Sequence, residues 1–352
     1  MIIIKTILSS IGVSLFAVGC GFASPVDIKV SERFFTQIDE ADNIDSLATW
    51  FDPELGKVKL FATAKSTNLI TVSDGQNGFP LGSIGATGSK LGEFVRPNGI
   101  AILDRFMFVV ERDNRRVQIF DLTEGKSIGF VGQDVLIKPY GIFVYQLEDR
   151  DFRMYITDDY ALVPEPDEPL RTGGVKDRIK QFKLRITGDA IDSELEQTFG
   201  PDHGEEMLHV VESIWGDFEN DRLLIADEDP INGMSIKVYN MAGTFTGEVL
   251  GEGIFEYQPE GIVLWETGPG NGLWICADQG KQKTVYRLFD RKNLEYRGAF
   301  VGTYTSNTDG ICIYTGKLPN YPEGLFYAVH DDSGVGAWSL EDIATQLELK
   351  DE

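Results

Sequence analysis

Acidic and amide residues recur at the ends of apolar runs in the last third of the chain. Glu260-Gly261 opens one such run, and Leu273-Trp274-Ile275-Cys276-Ala277 runs into Asp278-Gln279-Gly280. Thr308-Asp309-Gly310 precedes Ile311-Cys312-Ile313-Tyr314, and Leu325-Phe326-Tyr327-Ala328-Val329 runs into His330-Asp331-Asp332. Strands that each deliver a carboxylate to the same end build a ring of oxygen ligands, which suits a hard cation, calcium above all. A single Asp-Gly pair is an ordinary turn; the recurrence in matching places is what points to metal. Zinc is not expected, because no Cys/His ligand spacing exists. Cys276 and Cys312 sit in apolar runs and read as buried thiols, with a disulfide between them as the alternative. His203, His209 and His330 show no ligand-pair spacing and read as ordinary loop histidines.

The elements that must position these acids are strands. A unit recurs in which an apolar strand ends in a polar residue and, after a gap, a second strand follows. Its members are Val58–Ala62 with Leu69–Val72, Phe106–Val110 with Val117–Phe120, and Met154–Thr157 with Ile179–Phe182. They continue with Leu223–Ala226 and Ile236–Tyr239, Leu273–Ala277 and Val285–Leu288, and Leu325–Val329 and Val335–Trp338. Successive units lie about 45–55 residues apart, with one interval near 70, the spacing of four-stranded propeller blades with loop insertions. The expected fold is therefore all-β, a six-bladed β-propeller over residues 42–347. A β-sandwich, the competing architecture, does not predict the even repeat. Two short segments, Glu205–Val211 and Leu340–Leu347, carry helical character, and residues 348–352 form an acidic tail.

Composition agrees. The 38 glycines and 22 phenylalanines fit many short strands joined by tight turns, and an apolar fraction of 42% excludes disorder. A formal charge of −24 argues against nucleic acid as a partner, since phosphate backbones require a basic surface. Residues 1–23 read as an export signal, followed by an N-terminal extension over 24–41. Ala17-Val18-Gly19-Cys20 resembles a bacterial lipoprotein signal, which implies a periplasmic or outer-membrane protein whose one membrane contact is a lipid on Cys20. Cleavage after Gly21-Phe22-Ala23, giving a secreted protein, is the alternative. A monomer is expected.

Gly88-Ser89-Lys90-Leu91-Gly92-Glu93-Phe94, Pro97-Asn98-Gly99-Ile100-Ala101 and Asp113-Asn114-Arg115-Arg116-Val117-Gln118-Ile119-Phe120 together resemble one NHL repeat. A wider resemblance runs from about Asp42 to Ile343. It is carried by Asp45-Ser46-Leu47-Ala48-Thr49-Trp50, Tyr140-Gly141, Ile225-Ala226-Asp227-Glu228-Asp229, Pro259-Glu260-Gly261, Asp278-Gln279-Gly280, Ser306-Asn307-Thr308-Asp309-Gly310 and Tyr321-Pro322-Glu323-Gly324-Leu325-Phe326. In order and spacing these segments are similar to the β-propeller phytases, calcium-dependent phosphatases.

That resemblance implies a calcium cluster on Asp45, Glu212, Glu228, Glu260, Gln279 and Asp309 at one mouth of the channel, to which Asp331 is added as a further metal candidate. It implies that Lys65 and Arg112 hold substrate phosphate, with Lys176, beyond an insertion, as the candidate cation of the third unit. Tyr140 and Glu228 join Lys65 and Arg112 as implied catalytic residues. The implied reaction is hydrolysis of phosphomonoesters of inositol hexakisphosphate, presented as calcium phytate, by direct attack of a calcium-bound water. The chain departs from the family at Ser46-Leu47, where Asp-Pro is usual, and at Ser66, Gln258 and the loop Gly302–Asn307, where basic or acidic residues are usual; fewer carboxylates imply fewer or weaker calcium sites. Two other functions stay open: a propeller lactonase or related metal hydrolase, and a non-catalytic binding propeller with structural calcium. Other phosphatase and hydrolase chemistries lack their motifs: there is no Arg-His-Gly, no Cys followed by Arg at phosphatase-loop spacing, and no Gly-x-Ser-x-Gly.

Overall fold

The structure, a computed structural model, describes residues 28–148, 150–160 and 175–349. The described residues form six sheets; four are antiparallel and built from strands consecutive in the chain, and the last two each add one strand from the N-terminal segment. The first blade runs from Ile44–Asp52 to Pro80–Ile84, the second from Pro97–Leu103 to Lys126–Val131, and the third from Pro139–Glu148 to Ala190–Phe199. The fourth runs from Val211–Asp217 to Phe245–Leu250 and the fifth from Gln258–Gly268 to Tyr296–Val301. The sixth contributes Ile311–Tyr314, Leu325–His330 and Gly334–Ser339. The first strand of each blade packs against the first strands of its neighbours, and the sixth meets the first, so the ring is closed. The expected six-bladed propeller is the observed fold.

Burial explains why these sequences make blades. The middle strands are covered on both faces: every residue of Phe106–Glu111 and of Arg116–Asp121 is buried. The outermost strands face solvent, as Ala190–Phe199 shows with its run of exposed polar residues. The apolar side chains gather into six clusters, one at each interface between adjacent blades. Phe108, Val110, Val144 and Met154 join the second and third blades, for example, and Val58, Leu60, Tyr327 and Val329 join the sixth and first. Each fully buried Leu, Ile or Phe contributes about 1.5–3 kcal/mol, so stability resides between blades and depends on the ring being shut.

The N-terminal segment shuts it. Phe34–Phe35 pairs with Gly334–Ser339 and gives the sixth blade its fourth strand, while Ile28–Lys29 lies parallel on the outer strand of the fifth. Trp338 Nε1 donates to the Val30 carbonyl at 3.0 Å, and Thr36 N donates to the Val335 carbonyl at 2.9 Å. These residues fall in the range expected to be an extension outside the ring. They are instead a strap built into it, so residues ahead of 42 belong to the propeller.

A second difference concerns Glu205–Val211, which is not helical. The amides of His209 and Val210 donate to the Asp227 carboxylate at 3.0 and 3.1 Å, and Val211 already starts a strand, so the segment is held open. The other expected helix is present over Leu340–Gln346. Cys276 and Cys312 are free and buried. The insertion in the third unit falls on residues 161–174, outside the described residues.

Candidate functional site

The bottom of the site is set by backbone. Asp45, Asn98, Tyr140, Glu212, Glu260 and Asp309, an inner ring with one member per blade, are each followed by a small residue: Ser46, Gly99, Gly141, Ser213, Gly261 and Gly310. A Cβ on Gly261 would stand 2.8 Å from the Asp309 carbonyl; at Gly99, Gly141 and Gly310 it would collide with the carbonyls of Tyr140, Glu212 and Asp45. Adjacent blades therefore touch backbone to backbone at this level. Gly141→Ala is expected to cost about 2–4 kcal/mol, read as a lowered denaturation midpoint, because the colliding atom is a rigid carbonyl rather than a movable side chain.

This close packing lifts one side chain per blade to the channel mouth. The register is irregular at this position in the first strand of five blades, between Ile44 and Leu47, Pro97 and Ile100, Pro139 and Ile142, Val211 and Ile214, and Pro259 and Ile262. Such bulges re-aim side chains. They present Asp45, Asn98, Tyr140, Glu212 and Glu260, and Asp309 takes the matching place before the sixth. A second ring comes from the end of each second strand. The amides of Lys65, Arg112, Asp159 and Glu228 donate to the carbonyls of Asn43, Arg96, Lys138 and Val210 at 2.9–3.0 Å, each two residues before an inner-ring residue. Gln279 pairs with Gln258 in the same way, and Asp331 N donates to the Ser306 carbonyl at 2.9 Å.

Neighbouring acids take different jobs. Asp158, Asp227 and Asp278, one residue before the second ring, point into their blades. Asp158 accepts the amides of Ile137 and Lys138, Asp227 those of His209 and Val210, and Asp278 those of Glu256 and Tyr257. Each faces a cation on the third strand, Lys180, Lys237 or Arg287. In the second blade Glu111 does the same with Arg116, which also holds the Ser89 and Glu93 carbonyls. These are structural tethers.

Glu212, Glu228 and Glu260 come together: one carboxylate oxygen from each lies within 4.8 Å of the others. Burial first, and then repulsion among neighbouring acids, pushes the carboxyls of Glu212 and Glu260 well above the ordinary range. Glu228 is also pushed well up by burial, against a hydrogen bond with Glu260 that lowers it. Glu228 Oε1 is buried and has no hydrogen-bond partner. An orphaned buried oxygen among three converging carboxylates fits a hard divalent cation. Calcium–oxygen distances of about 2.4 Å put oxygens on opposite sides of one ion about 4.8 Å apart.

Beside this trio lies an ion-pair group. Lys65 Nζ stands 2.7 Å from Asp45 Oδ2 and 3.2 Å from Asp309 Oδ2, and all three side chains are largely buried. Burial opposes the charge on Lys65, but Asp45 and Asp309 outweigh it and hold the ammonium above its usual range. Tyr140 OH donates to Asp45 Oδ2 at 3.2 Å, and Gln279 Nε2 donates to Asp309 Oδ1. Burial and the charges of Asp45, Glu212, Asp309 and Glu260 keep the Tyr140 phenol neutral. Burial, with Asp45 next, raises Asp309 to about 7 in spite of Lys65.

The structure thus brings together Asp45, Lys65, Tyr140, Glu212, Glu228, Glu260, Gln279 and Asp309. Arg112 occupies its second-ring place but bonds Asp113 at 2.7 Å rather than the cluster. Asp331 is exposed; Asp332, beside it, is the residue whose charge reaches Lys65 and Asp309. Lys176 is not in the cluster: it is exposed, and the nearby charge it faces is Asp202, just beyond the outer strand of the third blade. Its place in the second ring is filled by Asp159, which accepts Arg178 at 2.8 Å and adds to the repulsion on Glu212 and Glu228.

Asn98 and Asp159 were not assigned to the site from the sequence, and of the pair Asp331-Asp332 only Asp331 was. The signal for Asn98 was the small residue after it, as at every other inner-ring position. Its Oδ1 is buried without a partner and its Nδ2 lies 3.5 Å from Asp45 Oδ2.

Fold and site together define a six-bladed propeller with a carboxylate-lined mouth. Among solved structures the chain is similar to a luciferin-regenerating enzyme, with a TM-score of 0.50 at 9% identity over 87% of this chain and 96% of that one. It is also similar to the Kuenenia stuttgartiensis hydrazine synthase, with a TM-score of 0.45 and 12% identity over 88% and 77% of the chains. A nidogen/laminin complex gives 0.44 and 16% over 77% and 84%. At these identities the likeness is one of fold alone. No family model and no curated protein matches the sequence.

Proposed function

We propose that the protein is a calcium-dependent phosphomonoester hydrolase acting on inositol hexakisphosphate. The observation that carries this reading is the convergence of Glu212, Glu228 and Glu260 beside a buried, charged Lys65. In it Glu212, Glu228 and Glu260 hold the cation, with Asp45, Gln279 and Asp309 lining the adjoining side. Calcium bound there supplies positive charge for phosphate oxygens and acidifies water.

The remaining work belongs to the chain itself. Lys65 keeps its proton because two acids flank it, and it presents a fixed cation to a developing phosphoryl charge. Tyr140 stays neutral and donates a hydrogen bond. Arg96, Arg112 and Lys138 stand in the loops of the second and third blades that flank Asn98 and Tyr140, and the third blade adjoins the acid-bearing fourth. Such a divided rim suits a ligand that carries several phosphates and is partly neutralised by metal.

Phosphate release from calcium phytate tests the reading. Release in calcium that stops in excess EGTA is expected, with Lys176→Ala within about twofold of wild type, the ordinary outcome for a surface change away from a site. Undiminished release in EGTA overturns the calcium requirement. Turnover of lactones instead of phosphate esters, under the same conditions, replaces the phosphatase reading with a propeller lactonase.

A further inference from the structure

The loop that delivers Asp309 is held from outside by the N-terminal strap. Glu32 Oε1 accepts the amides of Tyr304 and Thr305 at 3.0 and 2.9 Å and the Thr305 hydroxyl at 2.7 Å. Glu32 Oε2 accepts the amide of Thr303 at 2.9 Å. Three consecutive amides and a hydroxyl thus surround one carboxylate, a nest of the kind that binds anions. Gly302 makes the wrap close, since a Cβ there would collide with Glu32 Oε1. Ser31 and Thr303 hydroxyls add a contact at 3.1 Å.

From this anchor the chain runs inward over four residues to the site. Asn307 N donates to the Gly280 carbonyl at 2.9 Å, next to Gln279, and Thr308 Oγ1 donates to the Val329 carbonyl at 2.7 Å. Asp309 follows, between Lys65 and Gln279. The loop crosses from the rim of the fifth blade to the axis of the sixth, and Glu32 fixes its outer end.

We infer that Glu32 is a positioning residue for the site: by filling the nest at Thr303–Thr305, the strap fixes where Asp309 meets Lys65 and Gln279. This rests on the reading of that mouth as a calcium site. The strap therefore has two separable jobs. Phe34–Phe35 and Val30 close the ring; Glu32 sets one wall of the metal site.

The test uses the full chain with Glu32→Ala and Glu32→Gln. Amide exchange of segment 303–313 is followed in EGTA, calcium affinity by calorimetry, and global stability by denaturation. Glu32→Ala is expected to speed exchange over 303–309, leave the second blade unchanged, and weaken calcium binding about tenfold, the cost of losing an outer-shell support. Glu32→Gln, whose Oε1 keeps three of the four donors, restores most of the affinity. A Glu32→Ala protein with lowered stability but wild-type exchange at 303–309, or with wild-type calcium affinity, overturns the inference. A wild-type chain that binds no calcium overturns the site reading instead, and exchange in EGTA still decides whether Glu32 positions Asp309.

Discussion

Glu228→Gln is expected to stabilise the metal-free protein and to abolish its stabilisation by calcium. In the trio Glu228 and Glu260 are buried, Glu212 is half-buried and one oxygen is orphaned, so without a cation the folded state holds either repelling charges or extra protons. An amide in place of one acid relieves this. In calcium at about a hundred times its dissociation constant the wild type gains about 2.7 kcal/mol, and the variant gains almost nothing. The two denaturation midpoints therefore exchange order between EGTA and calcium. A variant that is less stable under both conditions would identify Glu228 as an ordinary structural acid.

The same site fixes a pH dependence. Burial raises the folded pKa of these acids above the unfolded value, so the folded state binds more protons and metal-free stability falls as pH rises. For Asp309 the window runs from the ordinary aspartate value of 3.8 to about 7. This is the opposite slope to that of a salt-bridged surface aspartate. Calcium must displace those protons, so its affinity rises over the same window.

The propeller was legible because its middle strands are buried on both faces and leave unbroken apolar runs such as Phe106–Val110. The strap was not, because Ile28–Lys29 and Phe34–Phe35 are two residues each, too short for any periodicity. Single side chains and backbone bonds hold it, and these leave no pattern. In the site, the acids were visible but their division of labour was not. Consecutive residues on a strand face opposite ways, so Asp158-Asp159, Asp227-Glu228 and Asp278-Gln279 each send one side chain into a blade and the other to the mouth. Which goes where depends on the bulge in the neighbouring first strand, a feature of pairing rather than of composition. Lys176 failed as a site residue for a related reason. The chain returns from its insertion at the rim, and Asp159 already holds the ring position.

Lys65→Met is expected to lower phosphate release about 10²–10³-fold, the usual loss when a group aimed at developing charge is removed, while calcium affinity at the glutamate trio stays within a few-fold. Lys65 pairs with Asp45 and Asp309 rather than with the trio, so binding and turnover should separate. The substitution also leaves Asp45 and Asp309 buried and unpaired, which costs about 3–5 kcal/mol. Rates must therefore be referred to the folded fraction, measured by circular dichroism in the same calcium buffer. Lys65→Arg keeps the charge and recovers part of both stability and rate, though its planar fork fits poorly between two acids that a compact ammonium bridges. Full turnover per folded Lys65→Met molecule would leave Lys65 as a structural counter-ion alone, and the phosphoryl charge would then have to be met by cations of the next blade such as Arg112.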